Sequence, residues 1–194
     1  MTEGPPRIPP AGIDSFVVPL SDSVQGALSF ESYGNSARID GVALTPLKKH
    51  RAENGWFAEL FRLGQGGATG SGDPLVLRQL SSAYAAPHRV NAFHIHPKVA
   101  QNEIWIVLQG VLTVWLVDCR AGSPTENTRV RVFLSGEEPA QLSIPAGVAH
   151  GYRAGHDGAL LIYGMDQQFD VLDPNEGRLP WDFFGSELWD EDRG

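Results

Sequence analysis

Residues 91–96 read Asn91-Ala92-Phe93-His94-Ile95-His96, and residues 145–150 read Pro145-Ala146-Gly147-Val148-Ala149-His150. On an extended strand, residues i and i+2 project to the same face, so His94 and His96 are expected to enter one space. Glu103 opens the next apolar run and can add a carboxylate to that space. Pro145 and Gly147 make a bend, from which His150 starts a further strand. Three imidazoles with one carboxylate form a donor set suited to Zn, Fe, Mn or Ni, with positions left open for substrate. A lone histidine more often satisfies a local hydrogen bond or sits at the surface, and His50, His88 and His156 are read that way. What sets His94, His96 and His150 apart is that two patterns occur in order on one chain.

Outward from these motifs the sequence reads as short strands separated by turn residues: 57–62, 75–84, 90–96, 103–109, 111–118, 130–134, 141–144, 151–154 and 159–165. Gly110 is read as a tight turn between two of them. With no long amphipathic helix between the strands, the pattern predicts an all-β antiparallel sandwich or barrel. Helix is expected only around 185–190. The run Ile104-Trp105-Ile106-Val107-Leu108 is apolar on both faces, which predicts burial at a dimer interface or under an extra covering sheet. Three regions follow: an irregular N-terminal arm with extra strands over 1–40, a barrel over 41–185, and an acidic tail over 186–194. The Gly-rich stretch 64–72 is expected to be a flexible loop.

The chain has 194 residues, 42% of them hydrophobic, enough for one substantial core. Acids outnumber bases 23 to 15, for a formal charge of −8; an acidic surface repels polyphosphate, so no nucleic-acid partner is expected. The single cysteine, Cys119, allows no intramolecular disulfide and fits a reducing compartment; it is read as an inert core thiol. No run approaches the roughly 18 apolar residues of a membrane helix, and the N-terminus lacks the pattern of a signal peptide. A cytoplasmic protein without a membrane partner is expected.

The two motifs, H-x-H followed by Glu103 and Gly110, then P-x-G-x-x-H, resemble those of the cupins, whose fold is a double-stranded β-helix, or jelly-roll barrel. A closer resemblance is to the dTDP-4-dehydrorhamnose 3,5-epimerases. It rests on Glu53-Asn54-Gly55-Trp56-Phe57-Ala58-Glu59, residues 91–96, Val117-Asp118-Cys119-Arg120 through Ser123-Pro124-Thr125, and Leu142 through Pro145-Ala146-Gly147-Val148-Ala149-His150-Gly151-Tyr152. The resemblance covers about residues 42–185. It implies a homodimer, a sugar or sugar-nucleotide substrate, and epimerisation by proton abstraction beside a carbonyl, without metal. It places the general base at His94 and a second pocket histidine at His150. Phe57 and Glu59 fall on nucleotide-contacting positions, and Asn91 and Tyr152 on substrate-facing ones. The family's general-acid tyrosine belongs near Gln168-Phe169, where none occurs; Tyr163 and Tyr152 are the nearest substitutes. Asp182 is the candidate for the aspartate that pairs with the base.

Three family cations are missing: Asn54 and Asn91 stand for arginines, and Glu103 stands for a lysine. The glutamine two residues after the base is His96. Lost cations and gained ligands together suggest a divalent metal on His94, His96, Glu103 and His150, supplying the positive charge an enolate needs. A diverged epimerase with such a metal is the first reading. A metal cupin of other chemistry (dioxygenase or lyase) and a non-catalytic sugar-binding cupin remain open.

Overall fold

The computed structural model describes residues 18–30, 37–64, 67–69 and 75–191. Much of the expected arm, most of the 64–72 loop and the last three residues of the tail lie outside the described residues. The chain divides into two units, Met1–Asn35 and Ser36–Gly194; what is described of the first is a single helical turn, Asp22–Gln25.

The second unit is an all-β jelly roll. Its strands in chain order are β1 (Ala43–Pro46), β2 (Lys49–Ala52), β3 (Gly55–Ala58), β4 (Arg62–Gly64), β5 (Gly67–Thr69), β6 (Gln79–Ala85), β7 (Val90–Ile95), β8 (Glu103–Asp118), β9 (Arg129–Ser135), β10 (Ala140–Ile144), β11 (Val148–Met165) and β12 (Gly177–Arg178). The main sheet runs β1-β10-β8-β11-β7-β12, with β6 also on β11 and β9 also on β8; β2–β3 and β4–β5 are separate hairpins. A 3-10 turn, Ser186–Trp189, lies where C-terminal helix was expected. Among the described residues, no helix is long and apolar enough to cross a membrane.

Two long strands organise the unit, and both correct the reading of the sequence. Residues 103–109 and 111–118 are one strand, β8, which passes through Gly110 without reversing. Gly110 has φ +73°, and a Cβ there would lie 1.9 Å from the Gly158 carbonyl oxygen. The glycine is needed for a close backbone approach inside a bent strand, a role with the same signature as a turn. Similarly, 151–154 and 159–165 belong to the single strand β11, which pairs with β8 along both its halves.

The first half of β8 is buried on both faces, as its composition implies, but the cover comes from this chain. Ile104 and Ile106 pack with Leu75, Leu47, Leu60, Phe61 and Leu77. Trp105 and Val107, on the opposite face, join the main core with Leu112, Val114, Leu142 and Leu161. No dimer interface is needed to explain this strand. Cys119 is exposed, against the expectation of a core thiol.

Candidate functional site

Strand alternation sends Phe93 into a cluster with Val117, Ala149 and Trp189 and turns His94 to the other face. There His94 pairs directly with His150 of β11 on one side and with Arg178 of β12 on the other. His96 lies just beyond the end of β7, and Glu103 is the first residue of β8. Of these, His94, His96, Glu103 and Arg178 border a cavity of about 350 Å³, a size suited to a small organic ligand, while His150 is buried and is not part of its wall.

Asn91 reaches the same cavity through a β-bulge. The register between β7 and β11 shifts between His150 and Tyr152, so that Tyr152 pairs with Asn91, three residues before His94 instead of two. Opposite the bulge stands Gly151, where a Cβ would meet Asn91 O, Ala92 C and Phe93 N at 2.9–3.0 Å. The glycine between His150 and Tyr152 is therefore what lets the two strands approach closely enough to aim Asn91 inward.

Glu103 is the electrostatic centre. Its buried carboxylate accepts hydrogen bonds from Gln101 Nε2 at 2.8 Å and Trp105 Nε1 at 2.7 Å. Nε2 of His96 lies 2.8 Å from Oε1, and Nε2 of His150 lies 3.6 Å from Oε2. On their other nitrogens, His96 Nδ1 is 2.5 Å from the Asn175 carbonyl and His150 Nδ1 is 2.9 Å from the Val148 carbonyl. Each carbonyl requires a proton on the Nδ1 that faces it, which fixes those rings. One ring nitrogen of each of His94, His96 and His150 lies within 4.8 Å of the other two. Nδ1 of His94 and Nε2 of both His96 and His150 are buried without a properly directed hydrogen bond.

Charge follows from these contacts. Burial, which disfavours a cation, and then the neighbouring His150 push the His94 pKa down to about 2. Burial likewise lowers His150. For His96 burial acts in the same direction but is outweighed by the Glu103 carboxylate and the Asn175 carbonyl, so its pKa is raised. Burial would raise Glu103, yet His150 and His96 hold it well below the usual carboxylate range. Burial thus favours neutral His94 and His150, while the Glu103 carboxylate favours the protonated form of His96.

Of the other expected residues, Tyr152 and Tyr163 line the cavity, as do Gln168 and Phe169. Asp182 does not. It is exposed in the turn after β12, where its carbonyl accepts the Gly185 amide, and among the described contacts its carboxylate has none with His94. Phe57 and Glu59 also stand apart from this chain's cavity. Phe57 is 64% exposed on β3, and Glu59 pairs with Arg62. Sequence reading missed Trp105, Gln101, Asn175, Glu176 and Arg178, all of them on the cavity wall. Trp105 and Gln101 are two residues either side of Glu103, so alternation could have found them. The loop and two-residue strand that bring in 175–178 carry no periodicity.

The Asp118–Thr125 motif is a structural clamp. The Asp118 carboxylate accepts two bonds from the Arg120 guanidinium (2.8 and 2.9 Å) and one each from Ser123 Oγ (2.6 Å) and Thr125 Oγ1 (2.7 Å). Cys119 N donates to the Gly147 carbonyl at 3.1 Å, which ties this loop to the bend preceding His150.

The family model for dTDP-4-dehydrorhamnose 3,5-epimerase matches residues 36–182. The spore coat polysaccharide biosynthesis protein SpsL of Bacillus subtilis is 35% identical over 145 residues, which is 74% of this chain and 91% of that protein. A dTDP-4-dehydrorhamnose 3,5-epimerase of Sinorhizobium fredii is 31% identical over 153 residues, 78% of this chain and 77% of that one. Among solved structures, a dTDP sugar isomerase of Desulfovibrio desulfuricans superposes with a TM-score of 0.64 at 25% identity, covering 75% of this chain and 87% of that chain.

Proposed function

The chain belongs to the dTDP-4-dehydrorhamnose 3,5-epimerase family, and on that premise we propose that it is a carbohydrate epimerase of nucleotide-linked keto-sugars, an isomerase that moves a proton at the carbon beside the sugar carbonyl. The observation that carries this reading is the neutral, buried His94 on the wall of a ligand-sized cavity, facing His150. A neutral imidazole has the lone pair a general base requires. Its low pKa makes it a weak base, so the site must also stabilise the enolate that proton removal creates. His96, Tyr152 and Tyr163 line the same cavity, and the two tyrosines are the candidates for returning the proton on the opposite face.

A specific observation favours a second component. Three buried imidazole nitrogens without directed hydrogen bonds, close to one another and beside Glu103, fit a divalent cation such as Zn, Fe, Mn or Ni. His94, His96, His150 and Glu103 would hold it. When bound, such an ion supplies Lewis-acid stabilisation to an oxyanion. His94 cannot serve both as ligand and as base, so with metal bound the proton acceptor would have to be another cavity group.

A homodimer is part of the proposal. Phe57 and Glu59 are exposed and absent from the wall of their own cavity, which leaves them free to reach the nucleotide of a second copy. A cytoplasmic setting fits the solitary thiol of Cys119.

Incubation with a dTDP-linked 4-dehydro sugar in deuterated water tests the function by NMR. Deuterium is expected at a carbon adjacent to the carbonyl, and its absence would refute the epimerase reading. Elemental analysis of protein purified without chelator tests the cation. Less than about a tenth of an equivalent of any transition metal, with melting unchanged on adding Zn, Mn, Ni or Fe, would remove the metal component and leave His94 as base.

A further inference from the structure

The wall of the cavity carries two acids, Glu103 and Glu176, in a chain whose formal charge is −8. Among the described residues, Arg178 is the single Lys or Arg side chain on that wall. We infer that Arg178, oriented by Asn91 and held in reserve by Glu176, binds the diphosphate of the substrate at the mouth of the cavity.

Register, orientation and depth support this role. Arg178 pairs directly with His94 across β12 and β7, so the two side chains leave the same face of the sheet. Nη1 of Arg178 donates to Asn91 Oδ1 at 2.7 Å, and Asn91 faces that way because of the bulge opposite Gly151. A neutral amide there fixes the guanidinium plane without consuming its charge. The side chain of Arg178 is 53% exposed, whereas His94 is 8% exposed. The cation is thus at the opening and the histidine at depth. A ligand with a diphosphate on the guanidinium would direct its sugar inward toward His94.

The remaining partner, Glu176, accepts from Nη2 in a close ion pair. Glu176 is itself partly exposed, so the pair is a weak one that an incoming diphosphate, with more charge and more acceptor oxygens, can displace. Guanidinium geometry suits bidentate contact with phosphate. Glu176 then acts as a competitor for the site, and its removal should strengthen anion binding.

This assignment rests on the sugar-nucleotide reading above, and the test separates the two. Binding of dTDP is measured by calorimetry for the wild type, Arg178→Ala, Arg178→Lys and Glu176→Gln, at low and moderate salt, with melting curves to confirm folding. Wild type is expected to bind dTDP. R178A should bind about tenfold or more weakly and with a shallower salt dependence. R178K should fall between, keeping charge but losing the fork. E176Q should bind several-fold more tightly than wild type, an effect that damage to the fold would not produce. The assignment is overturned if wild type does not bind dTDP, if R178A binds as wild type does, or if E176Q weakens binding as R178A does. Arg178-dependent dTDP binding without solvent-deuterium exchange would refute the epimerase reading alone. Exchange that is unaffected in R178A, at KM as well as kcat, would refute this assignment alone.

Discussion

Asp118→Asn offers a demanding check on how the site is held. The Asp118 carboxylate is fully buried and accepts from Arg120, Ser123 and Thr125. Asparagine keeps one acceptor oxygen but turns an NH₂ group toward donors and leaves Arg120 without its counter-charge. Hydrogen bonds to a charged group contribute about 1.5–3 kcal/mol each, and breaking a buried pair costs about 3–5 kcal/mol. Arg120 is 27% exposed and keeps its bond to the Asp40 carbonyl, which reduces the loss to about 2–4 kcal/mol. For a chain of this size that is roughly 5–15 °C in Tm. The pH dependence gives the sign. The bonds from Arg120, countered in part by burial, hold the Asp118 pKa well below the usual carboxylate range. A lowered acid pKa contributes stability that is complete above the unfolded value, about 3.9, and is lost as pH falls through the folded one. Urea unfolding should therefore show a constant gap between wild type and D118N from pH 7 to about 5, narrowing only below about pH 4. A gap under about 1 kcal/mol at pH 7, or one that closes between pH 7 and 5, would refute this account of the clamp.

Other perturbations report on the site and its frame. Glu103→Ala removes the acceptor used by Gln101 and Trp105 and the partner of His96, and should cost about 3–5 kcal/mol in chemical unfolding, with Glu103→Gln costing less. Gly110→Ala puts a methyl against the Gly158 carbonyl at a positive φ and should lose at least about 2–3 kcal/mol or fail to accumulate as soluble protein, read by expression and melting. His94→Asn should lower solvent-deuterium incorporation by a factor of about 10² or more while leaving dTDP binding within a few-fold of wild type; equal losses in both would argue that His94 only shapes the cavity.

The histidine cluster was legible because strand alternation is strict. Once β7 was placed, His94 and His96 had to share a face, and Glu103 followed at the start of the next strand. Asn91 could not be read that way, because its inward direction depends on a bulge that breaks the alternation, and family resemblance alone suggested it. Gly110 misled because a glycine at positive φ looks the same in a turn and in a bent strand. Asp182 and the pair Phe57 and Glu59 were assigned by resemblance, and the structure brings none of them to this chain's cavity. Arg178 was invisible, since a two-residue strand carries too little pattern to announce its pairing with His94.

Trp189 sits behind β7, the strand that carries His94, as a wedge. Its ring packs 5.1 Å from that of Phe93, the residue next to His94, its indole N–H donates to the Trp181 carbonyl at 2.7 Å, and the neighbouring Leu188 carbonyl accepts from Trp115. Anyone shortening the chain from Ser186 onward, or fusing a bulky tag close behind Trp189, would be disturbing the backing of His94; a loss of turnover in such a protein would say little about the cavity residues themselves.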